Sequence, residues 1–229
     1  AVHTDKLMYA RRAGMRIVAM SQEGLTARMV LTREALDNAL IADLAIGGST
    51  NSALHIPAIA HELGMEYPLD RFNDFNRKIP TLCAISPSGP HGIVDLYIAG
   101  GMPAVMKVLE NDLNTGVLTV TGKTVKENLA FAVIRDEKVI PPRDRPYLPE
   151  GGTVILKGSL APEGAVIKQS AVDPSMRIFT GPARVFDSEA GALKAIREKR
   201  LNAGDVVVIR YEGPRGGPGM PETLAVTMG

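Results

Sequence analysis

The alternation of apolar and polar positions divides the chain into a helix-rich first part and a strand-rich second part. In the first part, apolar residues recur at the three- and four-residue spacing of amphipathic helices. This spacing predicts helices over residues 34–44, 51–63, 103–109 and 124–132. Residues 7–12 predict a shorter helix that ends at Gly14, and residues 16–20 read as a buried strand.

Residues that favour helix ends support these assignments. Thr32 can cap the helix over 34–44, and Gly47 follows that helix as a stop. The next helix is apolar around most of its circumference and ends before Gly64, so it is expected to be buried.

The second part is rich in Val and Ile in short runs. These runs predict strands at 153–156, 165–168, 183–186 and 205–211, with one helix beginning after Ser188. Between the two parts, Val139 to Gly152 contains four prolines, which exclude helix interiors and central strands. We therefore expect an α/β part over 1–140 and a β-rich module with a helix over 150–229.

Composition narrows the function classes. The chain has 229 residues with 26 Lys and Arg against 25 Asp and Glu, a net charge of +1, which argues against attachment to nucleic acid by overall charge. Aromatic residues are only 4% of the chain and tryptophan is absent, which disfavours single-strand binding by base stacking. The absence of a long apolar run argues against a membrane partner, and a cytoplasmic protein is expected.

The two ends of the sequence bear on whether it is a fragment. The sequence begins at Ala1 without an initiator methionine or a signal peptide, and it stops at Gly229 within an apolar stretch. We expect it to be a fragment of a longer protein.

Two glycine-rich segments resemble phosphate-binding loops only superficially. Gly116 to Thr124 has five residues before its Gly-Lys-Thr where the phosphate loop requires four, so a capped turn is the better interpretation. Gly213 to Gly219 has the wrong spacing for a dinucleotide loop, and its two prolines remove backbone donors. It is either a tight connection or a glycine-rich backbone that delivers Glu222 into a ligand or metal site. The charges of Arg210, Glu212 and Arg215 around it are equally compatible with solvent exposure.

A third segment, Gly47 to Asn51, offers backbone N–H groups and two hydroxyls at the start of a helix. Such a turn can bind a carboxylate or phosphate, but helix capping by Ser49 or Thr50 is the simpler interpretation.

Histidine and cysteine give little support for a metal site. His55 lies on an apolar helix and is interpreted as a core residue, and His3, His61 and His91 lack ligand spacing. The one cysteine, Cys83, excludes an internal disulfide and is expected to be a small buried apolar residue.

Several longer motifs resemble one family, the dihydroxy-acid and sugar-acid dehydratases. They are Leu-Thr-Arg-Glu-Ala-Leu-Asp-Asn-Ala (31–39), Gly-Gly-Ser-Thr-Asn-Ser-Ala-Leu-His (47–55), Ile-Ser-Pro-Ser-Gly (85–89), Ala-Gly-Gly-Met-Pro-Ala-Val (99–105), Thr-Val-Thr-Gly-Lys-Thr-Val-Lys-Glu-Asn (119–128), Lys-Gly-Ser-Leu-Ala-Pro-Glu-Gly-Ala-Val (157–166) and Val-Ile-Arg-Tyr-Glu-Gly-Pro-Arg-Gly-Gly-Pro-Gly-Met-Pro-Glu (208–222). The resemblance covers nearly the whole chain in order. Two of the motifs, 85–89 and 160–164, look most like the enzyme of branched-chain amino-acid biosynthesis.

The resemblance implies an α/β domain with an iron–sulfur cluster, followed by a barrel-like domain. The resemblance also implies the reaction, which is dehydration of 2,3-dihydroxy-3-methyl acids to 2-oxo acids. It implies a homodimer as well. In the family, the cluster acts as Lewis acid on the departing hydroxyl, Mg²⁺ holds the substrate, and a deprotonated serine removes the C2 proton. Glu222 matches the family's glutamate ligand to Mg²⁺, and Gly47–Asn51 matches a family loop near the active site with no catalytic role assigned to it.

The sequence also departs from the family pattern. The cluster-binding cysteines, the other Mg²⁺ ligands and the basic serine have no counterpart in these 229 residues, and Cys83 matches none of the cluster cysteines. We therefore expect the isolated chain to bind no cluster and to be inactive. The alternatives are a sugar-acid or 6-phosphogluconate dehydratase, and a truncated binding module without catalysis.

Overall fold

The computed structural model describes residues 4–213 and 224–228. The chain divides into two compact units, Ala1–Val172 and Asp173–Gly229. The expected boundary at 140–150 lies earlier than this division. Hydrogen bonds of the intervening segment explain the difference, because Thr81 N donates to Glu150 O at 2.8 Å and Gly152 N donates to Leu44 O at 3.1 Å. The proline-rich segment and the hairpin after it therefore pack with the first unit.

The first unit consists of helices followed by a small hairpin. Its helices are α1 (Thr4–Glu23), α2 (Ala27–Val30), α3 (Arg33–Ala45), α4 (Ser52–Glu62), α5 (Asp70–Asn76), α6 (Ile93–Ala99), α7 (Gly101–Val108) and α8 (Val125–Leu129). Strands β1 (Val154–Leu156) and β2 (Ala165–Ile167) pair antiparallel, with Ile155 opposite Val166. Asn73 on α5 fixes β1, since its side chain accepts from Ile155 N and donates to Ile155 O.

Helix α3 forms the centre of the core. Thr32 caps it as predicted, accepting a hydrogen bond from Ala35 N at 3.2 Å, and the chain leaves it through Gly47 at a φ of +57°. Leu40 and Leu44 are fully buried, with Phe72 of α5 and Val105 of α7 in the same apolar cluster. A continuous core of this kind supplies most of the stability of an α-helical unit.

Helix α1 contradicts the predicted break at Gly14 and the predicted strand at 16–20. It runs unbroken through Gly14, where a Cβ would meet no atom within 4 Å. The apolar residues at 16–20 are helical, and Ile17 and Val18 are exposed. A short apolar run is compatible with either a strand or a helix. Here it forms part of the continuous helix Thr4–Glu23.

The prediction of a buried α4 is also wrong. Only Ile56 and Ala60 of this helix are buried, and Ile59 is 40% exposed. Helices α2, α5 and α6 were not predicted, since each has only four to seven residues and α5 and α6 lie in a proline-interrupted region. The predicted helices over 103–109 and 124–132 are confirmed by α7 and α8.

The second unit contains a parallel strand pair joined by a helix. Strand β3 (Ala183–Phe186) pairs with β4 (Val206–Ile209), and α9 (Glu189–Arg197) connects them. Ser188 caps α9 as predicted, accepting from Gly191 N at 3.1 Å. Helix α10 (Leu224–Met228) completes the described elements. Residues 4–213 and 224–228 contain two small open sheets, so the α/β part followed by a barrel-like module remains a prediction.

No helix in the described residues is both long enough and apolar enough to span a lipid bilayer.

Candidate functional site

The turn between α3 and α4 is held by a carboxylate of the chain itself. Asp43 Oδ2 accepts from Ser52 Oγ at 2.9 Å, and Gly48 N donates to the Asp43 backbone oxygen at 2.8 Å. Burial raises the pKa of Asp43, while hydrogen bonds from the Ser52 hydroxyl and Ser49 N–H favour its charged form. The turn at Gly47–Asn51, for which an anion site was the alternative to helix capping, thus already faces an internal anion.

Gly48 is required by this arrangement. A Cβ built on it would lie 1.9 Å from Asp43 Oδ1, so the carboxylate occupies the space that any side chain would need. The expected hydroxyl cap differs in detail. The residue at the N-cap of α4 is Asn51, whose side chain makes no cap hydrogen bond. Ser49 Oγ instead accepts a hydrogen bond from Asn51 N at 3.3 Å. The turn is therefore held by hydrogen bonds to Asp43 and within the turn itself.

Three separate segments meet at this turn. A Cβ on Gly152 would lie 2.5 Å from Gly47 Cα, so the two backbones are in direct contact. Ser170 N donates to Gly152 O, and the Ser170 hydroxyl lies 2.9 Å from the hydroxyl of Ser88. The family-like motifs at 47–55 and 85–89 are thereby brought together with the chain that follows β2. We call Asp43, Gly47–Ser52, Ser88, Lys168 and Ser170 the loop cluster.

Lys168 supplies the positive charge of the loop cluster. Partial burial lowers the pKa of its ammonium, and the negative charge of Asp43 counteracts this. An ammonium, several hydroxyls and backbone N–H groups are donors suited to the oxygens of a small acid. In the structure, the Ser52, Ser88 and Ser170 hydroxyls bond within the cluster, so its observed role is to fix the loop.

Sequence reasoning did not identify Asp43 or Lys168 as site residues. Their signal was weak, because Asp43 is one of several polar residues in α3 and Lys168 directly follows the short strand β2. A buried acid of α3 was also missed. Asp37 accepts hydrogen bonds from Tyr67 Oη at 2.8 Å and from Arg71 Nε at 3.2 Å, and this network joins α3 to α5.

Cys83 is buried as predicted. Its side chain is fully inaccessible, and burial raises the pKa of its thiol to about 12. Backbone bonds from Leu82 and Cys83 to Ala45 O place this segment beside α3. A thiol in this environment is a poor metal ligand and a poor nucleophile, because both roles require the thiolate.

The described histidines do not form a site. His55 is exposed, contrary to its interpretation as a core residue, and lies in a shallow apolar groove with Leu31 and Ile59. His61 is exposed, His91 is half-buried, and His3 lies outside the described residues. Residues 4–213 and 224–228 contain no group of three His, Cys, Asp or Glu side chains arranged to hold a metal ion.

The segment Gly116 to Thr124 is a turn, as expected. Thr119 Oγ1 donates to Lys123 O at 2.8 Å, and Thr124 begins α8 in a capping box with Glu127. The backbone donors of Thr121 and Lys123 bond to threonine hydroxyls of the same turn. These donors are therefore satisfied locally rather than gathered around a phosphate.

The predicted metal ligand Glu222 lies outside the described residues, as does the loop from Pro214, including Arg215. The preceding charged residues have partners within the second unit. Arg210 pairs with Asp187 at 2.6 Å, and Glu212 Oε1 accepts from Glu189 N at 2.9 Å at the start of α9.

Comparison with known proteins decides the family. The profile described as Dihydroxy-acid/6-phosphogluconate dehydratase N-terminal matches residues 1–128, and the corresponding C-terminal profile matches residues 138–229. The chain belongs to the dihydroxy-acid/6-phosphogluconate dehydratase family. The two profiles leave residues 129–137 unmatched, a stretch that ends just before the proline-rich segment.

Curated members of this family are similar along nearly the whole chain. Dihydroxy-acid dehydratases of Acetivibrio thermocellus, Ignicoccus hospitalis and Methanococcoides burtonii are 52%, 56% and 50% identical to it over 99% of its length. The chain spans only 41–42% of the length of these dehydratases. It therefore corresponds to a part of them.

The described residues do not fit the metal groups that the dehydratase family implies. The chain has one cysteine, which is buried in the core, and the described part offers no cluster of metal ligands. An iron–sulfur cluster needs several thiolates, and Mg²⁺ needs several hard oxygen ligands.

Proposed function

We propose that this chain is part of a dihydroxy-acid dehydratase, a hydro-lyase of branched-chain amino-acid biosynthesis. The observation that carries the proposal is the 48–56% identity to proteins named dihydroxy-acid dehydratase over 99% of the chain. The substrate class is a 2,3-dihydroxy-3-methyl carboxylic acid. The reaction removes the C2 proton and the C3 hydroxide as water, and the resulting enol becomes the 2-oxo acid.

Within this proposal, the loop cluster is a scaffold for the active site. Asp43 fixes the turn at Gly47–Asn51 from inside, and Gly47 and Gly152 allow two backbones to meet there. Two observations support this role: the turn is held by internal hydrogen bonds, and the family-like motifs 47–55 and 85–89 converge there. Glu222 is proposed as a ligand to Mg²⁺, and the remaining ligands and an iron–sulfur cluster are proposed for parts of the full-length protein outside these residues. A cytoplasmic homodimer completes the proposal.

The decisive experiment is an assay of the full-length protein that contains this sequence. Purified without exposure to oxygen, it is expected to convert 2,3-dihydroxy-3-methylbutanoate to a 2-oxo acid, detected as its hydrazone. Gluconate and 6-phosphogluconate serve as competing substrates. Preferential turnover of either sugar acid would transfer the assignment to the alternative within the family.

Glu222→Gln tests the proposed metal ligand in the same protein. Losing one carboxylate ligand is expected to raise the Mg²⁺ concentration needed for half-maximal activity by at least about tenfold. Glu66→Gln is the matched control, because Glu66 is an exposed glutamate on the loop between α4 and α5. Equal Mg²⁺ dependence in both variants would contradict the role of Glu222, and absence of any dehydration by the wild type would favour a binding module.

A further inference from the structure

Helix α1 meets the rest of the first unit along one side only. Tyr9, Arg16 and Met20 are spaced by seven and four residues, which places them on one side of the helix. The Tyr9 hydroxyl lies 3.4 Å from that of Tyr97, Arg16 Nε donates to Val120 O at 2.6 Å, and Met20 is buried. Met20 is the one buried residue among the twenty of this helix.

The opposite side of α1 carries a second apolar stripe. Its members share helical spacing and are 50–73% exposed. They are Leu7, Met8, Met15 and Val18, and we call them the outer stripe of α1. Arg11 lies among them, and its aliphatic stem is compatible with an apolar neighbour. A helix that is apolar on two sides is typical of a helix packed between two layers.

The neighbouring helix α6 shows the same feature. It buries Leu96 and Ala99, whereas its large apolar residues on the other side are 50–67% exposed. These residues are Ile93, Val94, Tyr97 and Ile98, and we call them the outer face of α6. Tyr97 also donates to Asp5 Oδ2 of α1 at 3.3 Å, so the two helices are neighbours. Exposed apolar surface of this extent marks an interface, since monomeric proteins rarely leave large apolar patches uncovered.

We propose that the outer stripe of α1 and the outer face of α6 are covered by an apolar surface from the remainder of the same full-length polypeptide. The chain spans 41–42% of its relatives' length, so more than half of such a protein lies outside these residues. Isolated helices depend on tertiary packing for their stability, and α1 has little of it here. A covering layer within the same subunit provides that packing at every protein concentration.

This proposal uses the proposed function only for the existence of a longer polypeptide, and its test does not use activity. Methionine oxidation by hydrogen peroxide in the full-length protein provides the readout, with Met8 and Met15 as reporters and mass spectrometry of peptides as the detection. Met20 is the buried internal reference, and the same protein in guanidinium chloride gives the fully exposed rate.

Met8 and Met15 are expected to oxidise at least about tenfold more slowly in the native protein than in denaturant, at a rate near that of Met20. The protection is expected to persist when oligomers are dissociated by dilution. Oxidation near the denatured rate would overturn the proposal. Protection that is lost on dissociation would also overturn it, because the occupant would then be a second copy. A native polypeptide of only 24.4 kDa would leave no covering segment and would overturn it as well.

Substitutions provide a second measurement. Met15→Asp and Val94→Asp place charges under the proposed covering layer and are expected to lower the thermal midpoint of the full-length protein by several degrees, independently of its concentration. Lys6→Asp, on the exposed flank of α1, is the matched control and is expected to shift it by less than about 2 °C. Equal midpoints for all three variants would contradict the proposal. Failure of dehydratase activity with intact protection would leave this inference standing and remove only the proposed function.

Discussion

Thr153 shows how one atom can reduce stability at the junction between the proline-rich segment and β1. Its hydroxyl is buried and has no hydrogen-bond partner within the described part of the chain. Its backbone carbonyl, in contrast, has a partner, since Thr153 O accepts a hydrogen bond from Asn76 Nδ2 at 2.8 Å. A buried hydroxyl without a partner costs about 1–3 kcal/mol relative to an apolar group of the same shape.

Thr153→Val is therefore expected to stabilise the protein by about 1 kcal/mol, because it replaces the unpaired hydroxyl with a methyl group. Thr81→Val is the matched comparison. Thr81 is equally buried, but its hydroxyl donates to Glu150 O at 2.8 Å, so its loss is expected to destabilise by about 1–2 kcal/mol. Urea unfolding monitored by circular dichroism measures both. The same sign for the two variants would contradict this account.

Cys83 gives a prediction about pH. Burial raises the pKa of its thiol to about 12, against 9.0 for a free thiol, so at pH 8 only about one molecule in ten thousand carries the thiolate. We expect Ellman's reagent to react at least about a hundredfold more slowly with the native protein than in denaturant.

The same thiol makes stability depend on pH. Since the unfolded chain loses this proton first, the contribution of Cys83 to stability is present below pH 9 and is lost as the pH rises towards 12. Cys83→Ala removes both effects, and rapid native labelling at pH 8 would contradict them.

In helix α3, the local sequence signals and the tertiary packing favour the same structure. Its cap, its apolar spacing and its glycine stop all predict the same helix, and its residues then form the centre of the core. Helix α1 shows the opposite case, because Gly14 predicts an end that the helix does not have. Glycine in a helix costs only about 1 kcal/mol relative to alanine, which surrounding contacts can offset.

The cap of α3 can be tested directly. Thr32→Ala removes the acceptor for Ala35 N and is expected to cost about 1 kcal/mol of unfolding free energy. Thr32→Ser keeps the acceptor oxygen and is expected to stay within about 0.5 kcal/mol of the wild type. Thermal or urea unfolding distinguishes them. Equal losses in the two variants would show that the threonine methyl group, rather than the cap, stabilises the helix.

At the scale of the whole molecule, the two units differ in how much core they contain. The first unit has a continuous apolar cluster, whereas in the described part of the second unit the buried residues are Ala192 and Ala195. Two buried alanines contribute far less than the loss of chain entropy, which amounts to about 1–2 kcal/mol for each residue that becomes ordered.

We therefore expect a peptide of residues 173–229 to lack cooperative thermal unfolding and to show little helical signal by circular dichroism. A polypeptide of residues 1–172 is the matched comparison and is expected to unfold cooperatively, because it contains the apolar cluster. A sharp unfolding transition in the 173–229 peptide would show that the second unit has a core of its own.

The sequence by itself determined the elements with strong local signals. Caps, glycine stops and periodic apolar residues specify α3, α7, α8 and α9, and runs of Val and Ile specify the four short strands. The family follows from long motifs, which carry many residue identities at once. Local composition could also place Cys83 in the core, since a lone apolar-flanked cysteine favours burial.

Tertiary structure decided what depends on distant partners. Periodicity could not show that Ser88, Gly152 and Ser170 meet at the turn after α3, because the three lie far from that turn in sequence. Nor could it show that α4 is half exposed and that α1 is apolar on its uncovered side. A local pattern reports which residues favour burial, and only the packing of the whole chain determines which of them obtain a partner.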